Sequence, residues 1–296
     1  MKKTIKNIIK NIVAKSGYEL RPKSKDDSLI KDLNLYQRLY NEKTLLTKPF
    51  YNIGSGDFYH PYWTNLDYVN DWYRDVQKNV VHIDLMEKGP LPIASDSAEV
   101  LYTSHTIEHI KDDAVQNLFK EAHRTLKSGG YFRITCPNAE ANYAALMRND
   151  PDWFYWDNFY ESPGSFEHLY LKPPASAPIE ERWLDSVANQ LAPHSLSLIP
   201  SKTKFHKSEI RELLTKYTRE EMLNYLTSLC DFDPQRCSSH INWWDYSKLE
   251  SFLKNAGFTT IYRSGFSQSG CAILRNTNYF DNTHPQMSIY VEAVKS

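Results

Sequence analysis

The sequence predicts an α/β protein with a doubly wound, mostly parallel sheet. Seven short apolar runs, at 50–53, 64–68, 80–85, 100–104, 131–137, 258–262 and 287–293, have the composition of strands. Runs of helical spacing at 112–126 and 247–256 separate some of them. The first run ends in Gly54-Ser55-Gly56-Asp57, a tight turn at which a ligand can approach the backbone closely.

Composition narrows the class. With 296 residues, 41% hydrophobic and 24% charged, the chain can bury a sizeable core. A formal net charge of -1 gives no overall case for nucleic acid as a partner, which calls for a clustered basic excess. Cys136, Cys230, Cys237 and Cys271 form no C-x-x-C pair, so neither a zinc knuckle nor a disulfide framework is expected, and free thiols in a reducing cytoplasm are the simplest reading. No apolar run is long enough to span a membrane and no signal peptide is evident, so a cytoplasmic location is expected.

In chain order, residues 1–23 carry seven basic side chains against the single acid Glu19, with Ile5, Ile8, Ile9, Ile12 and Val13 on one helical face. Such a helix can pack on the domain, or lie on an anionic membrane surface as a peripheral contact. A linker with a short helix around Leu33 to Tyr40 completes an N-terminal segment, 1–47.

The ligand-binding half of the doubly wound domain is expected over 48–138. Asp67 ends the second strand only 11 residues after Gly56, leaving room for one or two helical turns between them. A carboxylate there can accept two hydrogen bonds from a ribose diol. Val80 to Leu85 repeats the pattern, closing on Asp84, and Val100 to Ser104 leads into His105-Thr106-Ile107-Glu108-His109. Asp112 and Asp113 cap a helix that Gly129-Gly130 stops, before the strand 131–137.

Residues 139–240 break the rhythm with Trp153, Phe154, Tyr155, Trp156, Phe159, Tyr160 and Trp183, and are expected to form an inserted cap. Its aromatics suit either a small core or a substrate platform. Helices are expected at 208–217 and, from a Thr218/Glu221 capping box, at 218–229. Ser247 with Glu250 suggests a capping box for a helix ending at Gly257, and 241–296 supplies the last two strands, paired antiparallel because no helical spacing separates them.

These words in this order resemble the class I S-adenosylmethionine-dependent methyltransferases, in particular the small bacterial type 11-like branch often linked to surface polysaccharide biosynthesis. The words are Asn52-Ile-Gly-Ser-Gly-Asp57, Asn65-Leu-Asp-Tyr68, His82-Ile-Asp-Leu85, Ser104-His-Thr-Ile-Glu-His-Ile110, Leu126-Lys-Ser-Gly-Gly130, Ile134-Thr-Cys-Pro-Asn138, Asn255-Ala-Gly-Phe258 and Ser288-Ile-Tyr-Val-Glu-Ala293. The resemblance implies a Rossmann-like seven-stranded sheet with an antiparallel last strand, and S-adenosyl-L-methionine as cofactor. It implies that Gly54, Ser55, Gly56 and Asp57 meet the methionine and ribose moieties, and that Asp67 and Tyr68 stand at the ribose. Asp84 and Leu85 would line the adenine site, and Ser104 and His105 would border the methyl group. The chain departs from the family at Phe58, where a third glycine is usual. The family's association points to oxygen on a sugar or glycan precursor as acceptor. A lipid-linked or other small molecule is the alternative.

Methyl transfer to a hydroxyl needs alignment, exclusion of water and a base, for which His105, His109 and His240 are the candidates. No metal is expected in that reading. Two rivals come from other classes. His105-Thr-Ile-Glu-His109 matches H-x-x-E-H, the inverted zinc-protease signature, although a strand leads straight into its first histidine. A non-catalytic scaffold that keeps the cofactor pocket is the other. Oligomeric state is not legible in the sequence.

Overall fold

The computed structural model describes residues 25–69, 79–196 and 203–296; the basic stretch 1–23 lies outside them. The chain divides after Leu45. In the first unit the expected short helix runs longer, as α1 (Lys25–Leu39), followed by the one-turn α2 (Glu42–Thr47) across the boundary.

The second unit is built on a seven-stranded sheet: β1 (Phe50–Ile53), β2 (Trp63–Asp67), β3 (Val80–His82), β4 (Ala98–Ser104), β5 (Leu126–Pro137), β6 (Thr260–Arg263) and β7 (Ser288–Val294). Their order is β3-β2-β1-β4-β5-β7-β6. β1 to β5 pair in parallel, and β7 runs antiparallel to both β5 and β6. β1 lies between β2 and β4, so the order reverses there, and the strand ends on either side diverge to leave a crevice. This is the doubly wound, Rossmann-like fold that the strand pattern predicts.

Three local details differ from the sequence reading. The chain passes from Gly54 to Tyr62 through turns alone, without a helical turn. Phe58, at the place of the missing glycine, packs its ring on Trp63 and Phe280 at centroid distances of 5.8 and 5.6 Å, so aromatic side chains fill the space a crossover helix would cover. Helix α3 (Asp112–Thr125) stops before the glycines: Leu126 is fully buried and is drawn into register opposite Ala98, and β5 bulges at the following residues. Asp112 and Asp113 sit in the first turn of α3, after Lys111 at the cap, where negative charge still favours the helix N-terminus.

The cap differs in the same way. Helices α4 (Ala139–Arg148), α5 (Ile179–Ala188), α6 (Lys207–Lys216) and α7 (Arg219–Ser228) enclose a second apolar cluster in which Phe154 and Trp183 are fully buried. The Thr218/Glu221 capping box is present, with Thr218 N–H donating to Glu221 at 2.9 Å. Helix α8 (Tyr246–Asn255) starts earlier than Ser247, because Asp245 accepts from Lys248 N at 2.9 Å and takes the capping role. The adjacent Trp243 and Trp244 insert into different clusters, Trp243 into that of the cap and Trp244 into that of the sheet, and so tie the two. Among the described residues no helix is long and apolar enough to cross a membrane.

Candidate active site

The two glycines after β1 serve different needs. Gly54 has φ +71°, and a Cβ there would lie 2.1 Å from Thr106 Oγ1. Close packing on Thr106, rather than on a ligand, thus excludes a side chain at Gly54. Gly56 has φ +53° and open space where its Cβ would be. Its N–H donates to Asp67 Oδ2 at 2.7 Å, while Tyr68 N–H donates to Asp67 Oδ1 at 2.7 Å. Asp67 therefore ties the glycine turn to the end of β2 and sets its carboxylate at the edge of the crevice.

The crevice holds a cavity of 560 Å³, within the range of small-molecule sites. Gly54, Ser55, Gly56, Asp57, Asp67, Tyr68, Asp84, Leu85, Ser104 and His105, all singled out in the sequence, line it together. Three further features suit an amphipathic ligand. Asn52 Oδ1, Ser55 Oγ and Ser104 Oγ line the cavity as buried polar atoms without a partner in the protein, and such atoms seek a hydrogen bond. Ile83, Leu85 and Met86 form an apolar end. Asp84 caps the short turn that presents them, accepting from Met86 N at 2.8 Å. A polar glycine-rich end and an apolar end separated by a ribose-competent carboxylate fit an amino-acid nucleoside such as S-adenosylmethionine.

The sequence reading missed the opposite wall. Asn278, Tyr279, Asn282 and Thr283 come from the irregular stretch between β6 and β7, and Phe232 and Cys237 from the cap. The concentration of turn-forming asparagines at 276–282 is the one sequence signal for that wall.

The three histidines meet at the end of β4. His105 has φ +50°; its Nε2 is 2.7 Å from Ser288 Oγ, and the Ser288 hydroxyl donates to His284 O at 2.8 Å. Since that hydroxyl proton is spent, His105 Nε2–H is the donor to Ser288, and its Nδ1 faces Glu108 Oε1 at 3.2 Å. Both its ring nitrogens are turned to protein groups. His109 and His240 lie ring to ring at 5.0 Å. Their Nδ1 atoms are 3.1 and 2.8 Å from Ser239 O and Ser186 O, which can only accept, so both carry Nδ1–H. Burial pushes His109 down to about 4, against the pull of Glu108, and at neutral pH its Nε2 keeps a lone pair.

A second cavity, of 310 Å³, shares His105, His109 and Thr283 with the first. His240, Trp156, Phe159, Tyr160, Tyr170, Asp185 and Arg236 are among its lining. The zinc-protease reading is not favoured here. His105 sits in a left-handed conformation outside any helix, and the turn after it is only Ile107–His109 long, so the two histidines are not presented from one helical face.

Residues 62–134 match the family model described as "Methyltransferase domain". Among solved structures, the chain is similar to an S-adenosylmethionine-dependent methyltransferase from Mesorhizobium loti at 15% identity, covering 83% of this chain and 90% of that one with a TM-score of 0.37. It is similar to one from Archaeoglobus fulgidus at 13% identity, covering 89% and 99% with a TM-score of 0.35. Likenesses of this degree bear on neither acceptor nor mechanism. No curated protein matches the sequence. The matched segment runs from β2 into β5 and carries Asp67, Asp84, Ser104 and His105. The chain therefore carries a segment similar to a methyltransferase domain, set in a doubly wound sheet whose crevice has the size and polarity of a nucleoside site.

Proposed function

We propose that the protein methylates an oxygen of a sugar or glycan precursor. The observation that carries this reading is the second cavity, which meets the cofactor cavity at His105 and His109 and combines aromatic rings with Asp185, Asn189, Ser195 and Arg236. Aromatic faces with fixed hydrogen-bonding groups around them suit a polyhydroxylated ring, which is apolar on its faces and polar at its edge.

When bound, S-adenosylmethionine supplies a sulfonium methyl carbon: an acceptor oxygen bonds to it as the carbon–sulfur bond breaks, and the electron pair leaves with sulfur. The chain's part is alignment and proton removal. Asp67 and the turn it braces hold the ribose, Asn52, Ser55 and Ser104 face the polar end, and Ile83, Leu85 and Met86 receive the adenine. Asp57 and Tyr68 stand beside the turn as further contacts. For the acceptor's proton, His109 and His240 are better placed than His105, because their Nε2 lone pairs are unspent whereas both nitrogens of His105 face protein partners.

Calorimetry with S-adenosylmethionine, followed by transfer of labelled methyl to nucleotide-activated sugars, tests the reading. Binding followed by label on a sugar oxygen supports it. Absence of binding overturns the cofactor assignment, and transfer only to lipid-linked acceptors replaces the sugar by the alternative class.

A further inference from the structure

Glu108 is a buried acid at the edge of the second cavity. Its carboxylate is 2% exposed, and neither oxygen has a hydrogen-bond partner. Oε1 lies within ion-pair distance of two imidazoles, 3.2 Å from His105 Nδ1 and 3.8 Å from His109 Nε2, without the geometry of a hydrogen bond to either. A buried carboxylate without hydrogen bonds is costly, and a fold retains one where positive charge compensates it, whether on the imidazoles beside it or on an ion held among them.

Around it, two imidazoles converge with their donors already committed. His109 gives Nδ1–H to Ser239 O and His240 gives Nδ1–H to Ser186 O. A backbone carbonyl on the far nitrogen is the arrangement that fixes tautomer and ring orientation in metal-ligating histidines. It leaves each Nε2 as the available lone pair, and one donor atom from each of Glu108, His109 and His240 lies within 4.8 Å of the others. Three lone-pair donors meet, and no donor hydrogen stands between them.

The site is built from distant parts of the chain and held by backbone bonds. Glu108 O accepts from Ile241 N at 2.9 Å and from Asn242 N at 3.1 Å, and the Asn242 side chain donates to Ile110 O at 2.9 Å. These bonds set the segment carrying His240 against the turn carrying Glu108 and His109. All three residues line the 310 Å³ cavity.

We infer that Glu108, His109 and His240 form a binding site for a divalent transition-metal ion, open on the side of the acceptor cavity. Two imidazole nitrogens and one carboxylate select Zn²⁺, Fe²⁺, Mn²⁺ or Co²⁺ over Mg²⁺ and Ca²⁺, which favour all-oxygen sets. With three protein ligands the ion keeps positions for the acceptor's oxygens. This deepens the function proposed above and rests on it for one point only, the ion's use. There the ion would hold an acceptor hydroxyl and favour its ionisation, with the proton passing to bulk water, and His109 and His240 would act as ligands instead of bases.

The test uses tag-free full-length protein, stripped with a chelator and titrated with Co²⁺, whose visible absorption reports coordination directly. The expected result is a band saturating at about one equivalent, displaced by Zn²⁺, lost in His240→Ala and Glu108→Gln and kept in His105→Gln. No band in the wild type, or an undiminished one in His240→Ala, overturns the inference. If a variant fails to fold by circular dichroism, anomalous diffraction from Co²⁺-soaked wild-type crystals decides. A peak among the three side chains supports the site, and a peak only elsewhere removes it. Calorimetry with S-adenosylmethionine on the stripped protein separates the two readings: nucleoside binding without Co²⁺ binding removes only the metal site, and the reverse removes only the function.

Discussion

Arg133 on β5 holds Asp281 fork to fork inside the protein, Nε donating to Oδ1 at 2.9 Å and Nη2 to Oδ2 at 2.5 Å, with both side chains fully buried. Asp281 belongs to the irregular stretch whose neighbours Asn278, Tyr279, Asn282 and Thr283 line the cofactor cavity, and its own N–H donates to Tyr102 on β4 at 2.8 Å. The pair therefore connects the rigid sheet to the cavity wall that has no regular structure of its own. Asp281→Ala leaves a buried guanidinium with Glu292 as its remaining ion-pair partner. We expect it to cost about 3–5 kcal/mol in urea unfolding, and to weaken S-adenosylmethionine binding in calorimetry at temperatures where the variant is still folded. A loss below about 1 kcal/mol would mean that the pair does not brace the wall.

The two glycines after β1 should fail differently. Gly54→Ala pushes a methyl into Thr106 at a positive φ, so stability should drop by about 2–4 kcal/mol from overpacking and backbone strain together. Gly56→Ala meets open space, and Gly56 lines the cavity, so it should cost about 1 kcal/mol of stability but reduce nucleoside affinity. Thermal unfolding and calorimetry on both variants check the contrast, and equal behaviour in the two assays contradicts it.

Asp67 braces the glycine turn through a hydrogen bond that a carboxylate accepts. In Asp67→Asn only one side-chain atom can accept, so either Gly56 N or Tyr68 N is left facing an amide NH₂, and the ribose meets a weaker acceptor. The expected loss is about 10- to 100-fold in S-adenosylmethionine affinity, the scale of one charge-assisted hydrogen bond. Equal affinities by calorimetry would remove Asp67 from the binding set without touching the cofactor assignment.

Stability should fall in mild acid. His194 is 1% exposed, stacks on Tyr170 at 5.7 Å, and has no hydrogen-bond partner on either nitrogen. Burial pushes it below its ordinary value of 6.5, and burial, then the neighbouring His105 and His240, push His284 down to about 4. The unfolded chain takes up protons near 6.5 that the folded protein refuses, so this contribution is complete above 6.5 and is lost as pH falls toward 4. The urea midpoint should be lower at about pH 5 than at about pH 7.5. His194→Phe, which keeps a stacked ring but cannot titrate, should reduce the difference; a difference unchanged in that variant would count against the assignment.

How much of this was legible beforehand follows from the range of the interactions. The turn at Gly54, the acid closing β2, the acid just after β3, and Ser104 at the end of β4 are local patterns, and the strand ends bring them to one crevice because a parallel sheet places its C-terminal edges together. Phe58 read as a departure, since nothing local announces that its ring meets Phe280 from the far end of the chain. Asp245 displaced Ser247 as helix cap, a competition between two good capping residues that spacing alone cannot decide. The nearness of His240 to Glu108 depends on backbone bonds joining positions more than a hundred residues apart, which leave no periodic trace.

The acceptor cavity gives the sharpest separation of cofactor from acceptor effects. Phe159 is 65% exposed and lines that cavity, whereas Phe154 and Trp183 are fully buried in the core of the cap. Phe159 is absent from the lining of the cofactor cavity. Truncation of Phe159 to alanine removes an exposed ring and leaves the core intact, so the thermal midpoint should hardly move. If the ring stacks on a sugar, the loss is the contact energy of one aromatic face, and KM for the acceptor should rise about tenfold. The calorimetric affinity for S-adenosylmethionine should stay unchanged in the same variant. A change in nucleoside affinity with the acceptor KM unaltered would reverse the assignment of the two cavities. An unchanged KM with an unchanged nucleoside affinity would remove Phe159 from the acceptor site and leave Tyr160, Tyr170 and Trp156 as the rings to vary.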